Sequence, residues 1–205
     1  MTMTFAPRLP AAADPRFRVF VRVHDAAGAA TGWLASERRL QTRREGGEVH
    51  AVEVPATRDS SGREASVGSS TPGGSTALNI AVDGLPSEYF VVHDWLGISV
   101  PGRFSRQVAF LDANPDVGVV GCASGTYRDA SRVSPPGRIA SSNDVRIFLK
   151  GGCLPAPGSL MFRRSVFLAA GGIDPEWAGA EFHELLLRVT RVSRLEMLPE
   201  VLYHL

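Results

Sequence analysis

Asp94 closes the apolar run Tyr89-Phe90-Val91-Val92, with His93 before it and Trp95 after it. A carboxylate at a strand end either caps the next turn or meets a ligand. His93 is either a structural residue with its hydrogen bonds satisfied or an imidazole able to ligate or take a proton near neutral pH. A second set, Glu181, His183 and Glu184, precedes Leu185, Leu186 and Val189, which recur at helical spacing. On a helix, residues 181 and 184 share a face and residue 182 points elsewhere. Glu181 and Glu184 therefore form either a carboxylate pair suited to acid–base work or a solvated face, with the His183 imidazole beside them. Trp95 and Trp177 either stack on a flat ligand or pack in a core. Arg163-Arg164 either meets a phosphate or covers a solvated face. Gly73-Gly74 and Gly151-Gly152 read as turns, since neither pair follows a strand as a phosphate-binding loop does.

The elements that must position these groups read as strands alternating with helices. Arg18 to Val23 and Val49 to Val54 alternate apolar and polar residues as strands do. Gly32 to Arg44 reads as an amphipathic helix and Thr76 to Val82 as another, with Ser75 as its N-cap. Tyr89 to Val92 and Val117 to Cys122 are continuous apolar runs, the pattern of strands buried on both faces. Pro101 suits the first turn of a helix through Leu111. Asp144 caps a short helix through Leu149 after a polar loop over residues 128–144. Gly158 to Phe162 reads as a short strand, and Ser165 to Ala170 as a helix closed by Gly171-Gly172. Ala180 to Val192 is a helix, and Val201 to Tyr203 a last strand. The alternation points to an α/β domain with a mainly parallel central sheet flanked by helices. Residues 1–16, rich in Ala and Pro, read as a flexible N-terminal segment, and residues 17–205 as one domain. Residues 56–75 read as an exposed loop.

Composition narrows the classes. The chain has 205 residues, 44% hydrophobic and 21% charged, which excludes a disordered chain or a coiled coil. Its 22 basic and 21 acidic residues give a net charge of +1, with no basic excess to suggest a nucleic-acid partner. Lys150 is the only lysine, a bias we read as that of a GC-rich bacterial genome. Cys122 and Cys153 fit neither a disulfide framework nor a zinc spacing, so they read as reduced, buried thiols of a cytoplasmic protein. No stretch reads as a membrane span or a secretory signal.

Three segments resemble the bacterial family 2 glycosyltransferases. Gly74-Ser75-Thr76-Ala77-Leu78-Asn79, leading to Tyr89–Asp94, is similar to that family's small-residue helix start and the strand carrying its Asp-x-Asp motif. Pro101 to Cys122 is similar to the helix–turn–strand that follows. Gly158 to Leu187, with Leu198 to Tyr203, is similar to the acceptor-side segment, its Glu-Asp helix and its closing strand. The resemblance covers residues 74–205. It implies a single GT-A-like, Rossmann-like domain that moves a sugar from a nucleotide-sugar donor to a polysaccharide or lipid-linked acceptor. The setting it implies is cytoplasmic, extending to a peripheral place at the inner face of the membrane, with another glycosyltransferase among the partners it allows. Asn79, His93, Asp94, Trp95 and Trp177 would bind donor or acceptor. Glu181, His183 and Glu184 would supply the base. A divalent cation, Mn2+ or Mg2+, would be held by Asp94.

The chain departs from the pattern at both acidic motifs. Asp94-Trp95-Leu96-Gly97 retains only the first acid, and Glu181-Phe182 has Phe where the family places its usual base. Pro55-Ala56-Thr57 stands where the family has an Asp-Asp-Gly turn, and Leu78 where it has Arg. These losses leave two classes open: an active transferase, or an inactive GT-A-like module that binds a sugar, a nucleotide or a partner enzyme. The 56–75 stretch has almost no apolar side chain to bury, so little offsets the entropy of ordering it. Limited trypsin digestion is expected to cut first at Arg58 or Arg63. Fragments that instead begin elsewhere in the chain refute the loop.

Overall fold

A computed structural model of the chain describes residues 16–23, 47–53, 72–85, 87–94, 97–125, 155–177 and 179–204. In chain order the elements are β1 (Phe17–Val23), β2 (Gly47–Glu53), α1 (Pro72–Gly84), β3 (Tyr89–Asp94), β4 (Ile98–Ser99), α2 (Arg103–Ala113) and β5 (Val117–Gly125). Then come a 3-10 turn (Pro157–Ser159), β6 (Met161–Arg163), α3 (Arg164–Ala169), a second 3-10 turn (Pro175–Trp177), α4 (Glu181–Val192) and β7 (Arg194–His204). The helix over 32–44, the loop over 128–144, the helix over 144–149 and Cys153 lie outside the described residues.

The seven strands form one sheet in the order β2-β1-β3-β6-β5-β7-β4. It is mixed, not mainly parallel. β2, β1 and β3 pair in parallel, as do β5 and β7. β6 runs against both β3 and β5, and β4 runs against β7. A strand buried on both faces reads the same in either direction, so the apolar runs carry no sign of this reversal.

Alternation along the strands builds a core on each face. Phe90 and Val92 face a cluster with Leu78 and Val82 of α1, Phe167 of α3, and Phe182, Leu185 and Val189 of α4. Tyr89 and Val91 face the opposite cluster with Phe104 and Leu111 of α2. The antiparallel register sets Phe90 against Phe162, and their rings stack at 5.2 Å. Phe167 closes edge-on at 5.0 Å from Phe90, an arrangement the ring quadrupoles favour.

Several boundaries differ from the sequence reading. α1 begins at Pro72, so Ser75 lies inside the helix rather than capping it, and residues 72–75 leave the expected loop. The rest of that loop lies outside the described residues. Proline suits the first helical position because the amide hydrogen it lacks would find no partner there. α2 starts two residues after Pro101, with Gly102 as its N-cap at φ 82. Gly158 and Ser159 belong to a 3-10 turn, leaving β6 three residues. β7 is longer than Val201–Tyr203 because Pro199 sits at an irregularity. The pairing with β5 slips between Cys122 and Ala123, opposite Leu198 and Val201. α3 ends in a Schellman motif, in which the Gly171 amide donates to Leu168 O and the Gly172 amide to Phe167 O. Gly171 takes the positive φ that motif requires, and Gly172 after it is also at positive φ.

Arg16, expected at the end of a flexible segment, is held in place. Its guanidinium donates to both oxygens of Asp112, at 2.9 and 2.7 Å, and to Glu88 at 2.9 Å. The buried Tyr89 hydroxyl donates to Asp112 at 2.6 Å. Arg16 and Tyr89 hold the Asp112 carboxyl below its ordinary value of 3.8, while burial pushes the Tyr89 phenol up. The carboxylate is 38% exposed, so solvent screens the interaction. Asp112→Asn is expected to cost about 1 kcal/mol at neutral pH, a drop of about 2–4 °C in Tm. A depressed folded pKa adds stability above the unfolded value and loses it as pH falls through the folded one. The gap between wild type and Asp112→Asn should therefore close below pH 3.8 in thermal melts; a gap that persists there refutes the coupling.

Candidate functional site

Position 94 is the last of β3, paired in register with Arg22 of β1. Trp95 and Leu96 lie outside the described residues. His93 is 2% exposed. Its Nε2 lies 3.0 Å from Ser99 Oγ, and its ring meets the edge of Tyr203 at 5.3 Å. Alternation assigns positions 93 and 94 to opposite faces of β3, so adjacency in sequence does not make them one site. His93 belongs with Arg103, a group the sequence reading missed. Arg103 is fully buried. Its Nε donates to Gln107 Oε1 and its Nη1 to Ser99 Oγ, each at 3.0 Å. The guanidinium lies 5.0 Å from the ring centres of both Phe104 and Tyr203. Gln107 Nε2 in turn donates to Val120 O and Ser159 O. The available signal was the i,i+4 spacing of Arg103 and Gln107.

Asn79, Glu181, His183 and Glu184 lie on α1 and α4. Asn79 Nδ2 donates to Ile173 O at 2.7 Å, and the Ile173 amide donates to Asn79 Oδ1 at 2.9 Å. Both ends of the Asn79 amide thus hold the chain that leaves α3. Glu181 opens α4 and is 5% exposed, an acid in the turn where the helix dipole favours one. Phe182 is 4% exposed and lies in the core cluster with Leu78 and Val92. The same cluster takes in Phe90 and Val92 of β3. His183 is half-buried on the same helix. Glu184 accepts from Arg188 Nε and Nη2, each at 2.5 Å. Arg188 also donates to Ala170 O and to Gly172 O, at the end of α3. The partner of Glu184 is therefore a helix-capping arginine. Trp177 is 53% exposed, which removes core packing as its role.

Arg163 and Arg164 bind carbonyl oxygens. Arg163 Nη2 donates to Leu111 O, and Arg164 donates to Val82 O and Asp83 O at the end of α1. They tie helices to the sheet.

Positions 94–97 offer one carboxylate to a hard divalent cation, whose remaining ligands would have to be water or the oxygens of a bound diphosphate. Gly97 is buried, and a Cβ there would meet Tyr203 Oη at 2.0 Å. A Cβ on Gly158 would meet the same oxygen at 2.1 Å, so the tyrosine hydroxyl fills the space of both missing side chains. Among the described residues no group of three His, Cys, Asp or Glu side chains could hold a metal. No described helix is long and apolar enough to cross a membrane.

No family model matches the chain, and no curated protein matches it. Solved structures do. S. aureus TarS 1–349 superposes with a TM-score of 0.64 at 14% identity, over 92% of this chain and 60% of that one. The same fragment in complex with UDP-GlcNAc gives 0.60 at 10% identity, over 93% and 58%. The mannosyltransferase PcManGT from Pyrobaculum calidifontis, in complex with GDP-Man and Mn2+, gives 0.58 at 17% identity, over 94% and 57%. The chain thus spans about 60% of these chains, and 36% of the longer TarS chain. At such identities the likeness establishes the fold, that of a GT-A-type glycosyltransferase.

Millimolar Mn2+ without nucleotide is expected to leave Tm unchanged. A rise of several degrees that Asp94→Ala abolishes would overturn this.

Proposed function

We propose that this chain is a glycosyltransferase domain that moves a sugar from a nucleotide-sugar donor to a polysaccharide or lipid-linked acceptor. It acts in the cytoplasm at the inner membrane face, alone or with another glycosyltransferase. The observation that carries the reading is the placement of Glu181. A buried carboxylate opens α4, whose Phe182 packs in the same apolar cluster as Val92 of β3, in a fold shared with a mannosyltransferase in complex with GDP-Man and Mn2+.

The chemistry asks little of the protein beyond position and charge. The acceptor hydroxyl attacks the anomeric carbon, its proton passes to a base, and the nucleoside diphosphate leaves with the bonding pair. Glu181 is the base in this scheme, because it is the carboxylate that opens α4 where the resemblance places the Glu-Asp pair, and the Phe182 side chain carries no oxygen. His183 is the remaining proton acceptor on that turn. Asp94 and Trp95, at the carboxyl end of a parallel strand, contact the donor, where open α/β sheets bind their ligands. No step is routed through a metal.

A second reading has its own observation. Phe182 occupies the position that the resemblance gives to a catalytic Asp, and it packs in the core. An acid restored there would be buried among apolar side chains. This packing favours the reading of a module that binds a nucleotide sugar without turning it over.

Release of nucleoside diphosphate from a panel of UDP-, GDP- and TDP-sugars separates the two. Wild type is expected to turn over, and Glu181→Gln to lose about 10²–10⁴ in rate while binding the donor unchanged in calorimetry. Donor binding by wild type without turnover decides for the second reading. Turnover unchanged in Glu181→Gln removes Glu181 as the base.

A further inference from the structure

The corner between α3 and the second 3-10 turn is gripped by side chains of two other helices. Arg188 of α4 donates to Ala170 O and to Gly172 O, the latter at 2.7 Å. Asn79 of α1 takes the next residue. Its Nδ2 donates to Ile173 O at 2.7 Å, and its Oδ1 accepts from the Ile173 amide at 2.9 Å. A side-chain amide bonded to both the N–H and the C=O of one residue fixes its orientation as well as its place, as a neighbouring strand would. The approach is close. A Cβ on Gly172 would meet Asn79 Oδ1 at 2.8 Å, and Gly172 stands at positive φ. Glycine satisfies both demands.

From Ile173 a run of backbone bonds leads into α4. The Trp177 amide donates to Asp174 O, the Ala180 amide to Trp177 O at 2.8 Å, and the Glu184 amide to Ala180 O at 2.9 Å. Glu181 lies on the last of these turns, 5% exposed. Phe182 and Leu185 anchor the body of α4 in the apolar cluster. The path by which the chain enters α4 is set instead by the turn before it, and that turn starts at the residue Asn79 holds. We propose that Asn79 is a positioning residue rather than a ligand contact: it orients the 173–181 segment and, through it, the Glu181 carboxylate. The proposal rests on the transferase reading for the role of Glu181; the hold on the segment is measured without turnover.

The test compares two variants of the full chain. Asn79→Leu removes both bonds at similar size, and Asn79→Asp keeps the acceptor for the Ile173 amide. In hydrogen exchange followed by NMR, Asn79→Leu should speed exchange at the Ile173, Trp177 and Ala180 amides about tenfold more than at Leu186 and Val189 within α4. Asn79→Asp should keep the Ile173 amide within about threefold of wild type. In the diphosphate-release assay, Asn79→Leu should lower kcat about tenfold or more with donor KM within about threefold, the split expected of a misplaced base. Added to Glu181→Gln, it should cost nothing further, because both changes act on one group. Equal acceleration at all these amides overturns the proposal. So does a loss of donor affinity in Asn79→Leu, or a loss of rate that persists undiminished in Glu181→Gln. A wild type that releases no diphosphate refutes the transferase, and the hold of Asn79 on the segment is then decided by the exchange pattern alone.

Discussion

The buried guanidinium of Arg103 holds the carboxyl-terminal side of the sheet together. A buried cation is costly unless it is hydrogen-bonded, and here the partners of Nε and Nη1 come from different elements. Ser99 lies on β4 and Gln107 on α2, while Gln107 reaches carbonyls of β5 and of the first 3-10 turn. Tyr203 of β7 lies against the cation, and His93 of β3 shares Ser99. Polar geometry is directional where apolar contact is not, so the network sets where two-residue β4 joins the sheet. The Tyr203 hydroxyl then lies where side chains at positions 97 and 158 would go. Both are glycine for that reason.

Strand alternation converts this arrangement into a division of labour. The α2 face of β3 carries His93 and the polar network. The other face carries Phe90 and Val92 toward α1, α3 and α4. The candidate chemistry lies on that second face, where α4 opens with Glu181 and the turn bearing Trp177 precedes it. Phe182 is the clearest exchange of function for packing: an aromatic side chain in the core at a position where the resemblance places an acid. The ion pair between Glu184 and Arg188 is structural in the same way, since Arg188 also caps the carbonyl end of α3.

The sequence by itself determined what depends on local patterning. The apolar runs at Tyr89–Val92 and Val117–Cys122 read as strands because they are short, rich in β-branched or aromatic residues and bounded by turn residues. Gly171-Gly172 reads as a helix end because glycine takes positive φ without the Cβ penalty. The acids at 94 and 181, the Phe at 182 and the Leu at 96 were likewise legible. Tertiary structure alone decided the rest. The direction of β6 depends on which neighbours it meets, and a symmetric apolar run cannot record that. Arg103 and Gln107 resemble surface residues of an amphipathic helix until the sheet closes over them. Asn79 and Glu184 carry the same chemistry whether they face a ligand or a carbonyl, and packing assigned Asn79 to Ile173 and Glu184 to Arg188. Trp177 has the composition of a core residue. Only the turn that holds it outward gives it a surface, because burial is a property of the assembled chain and not of the residue.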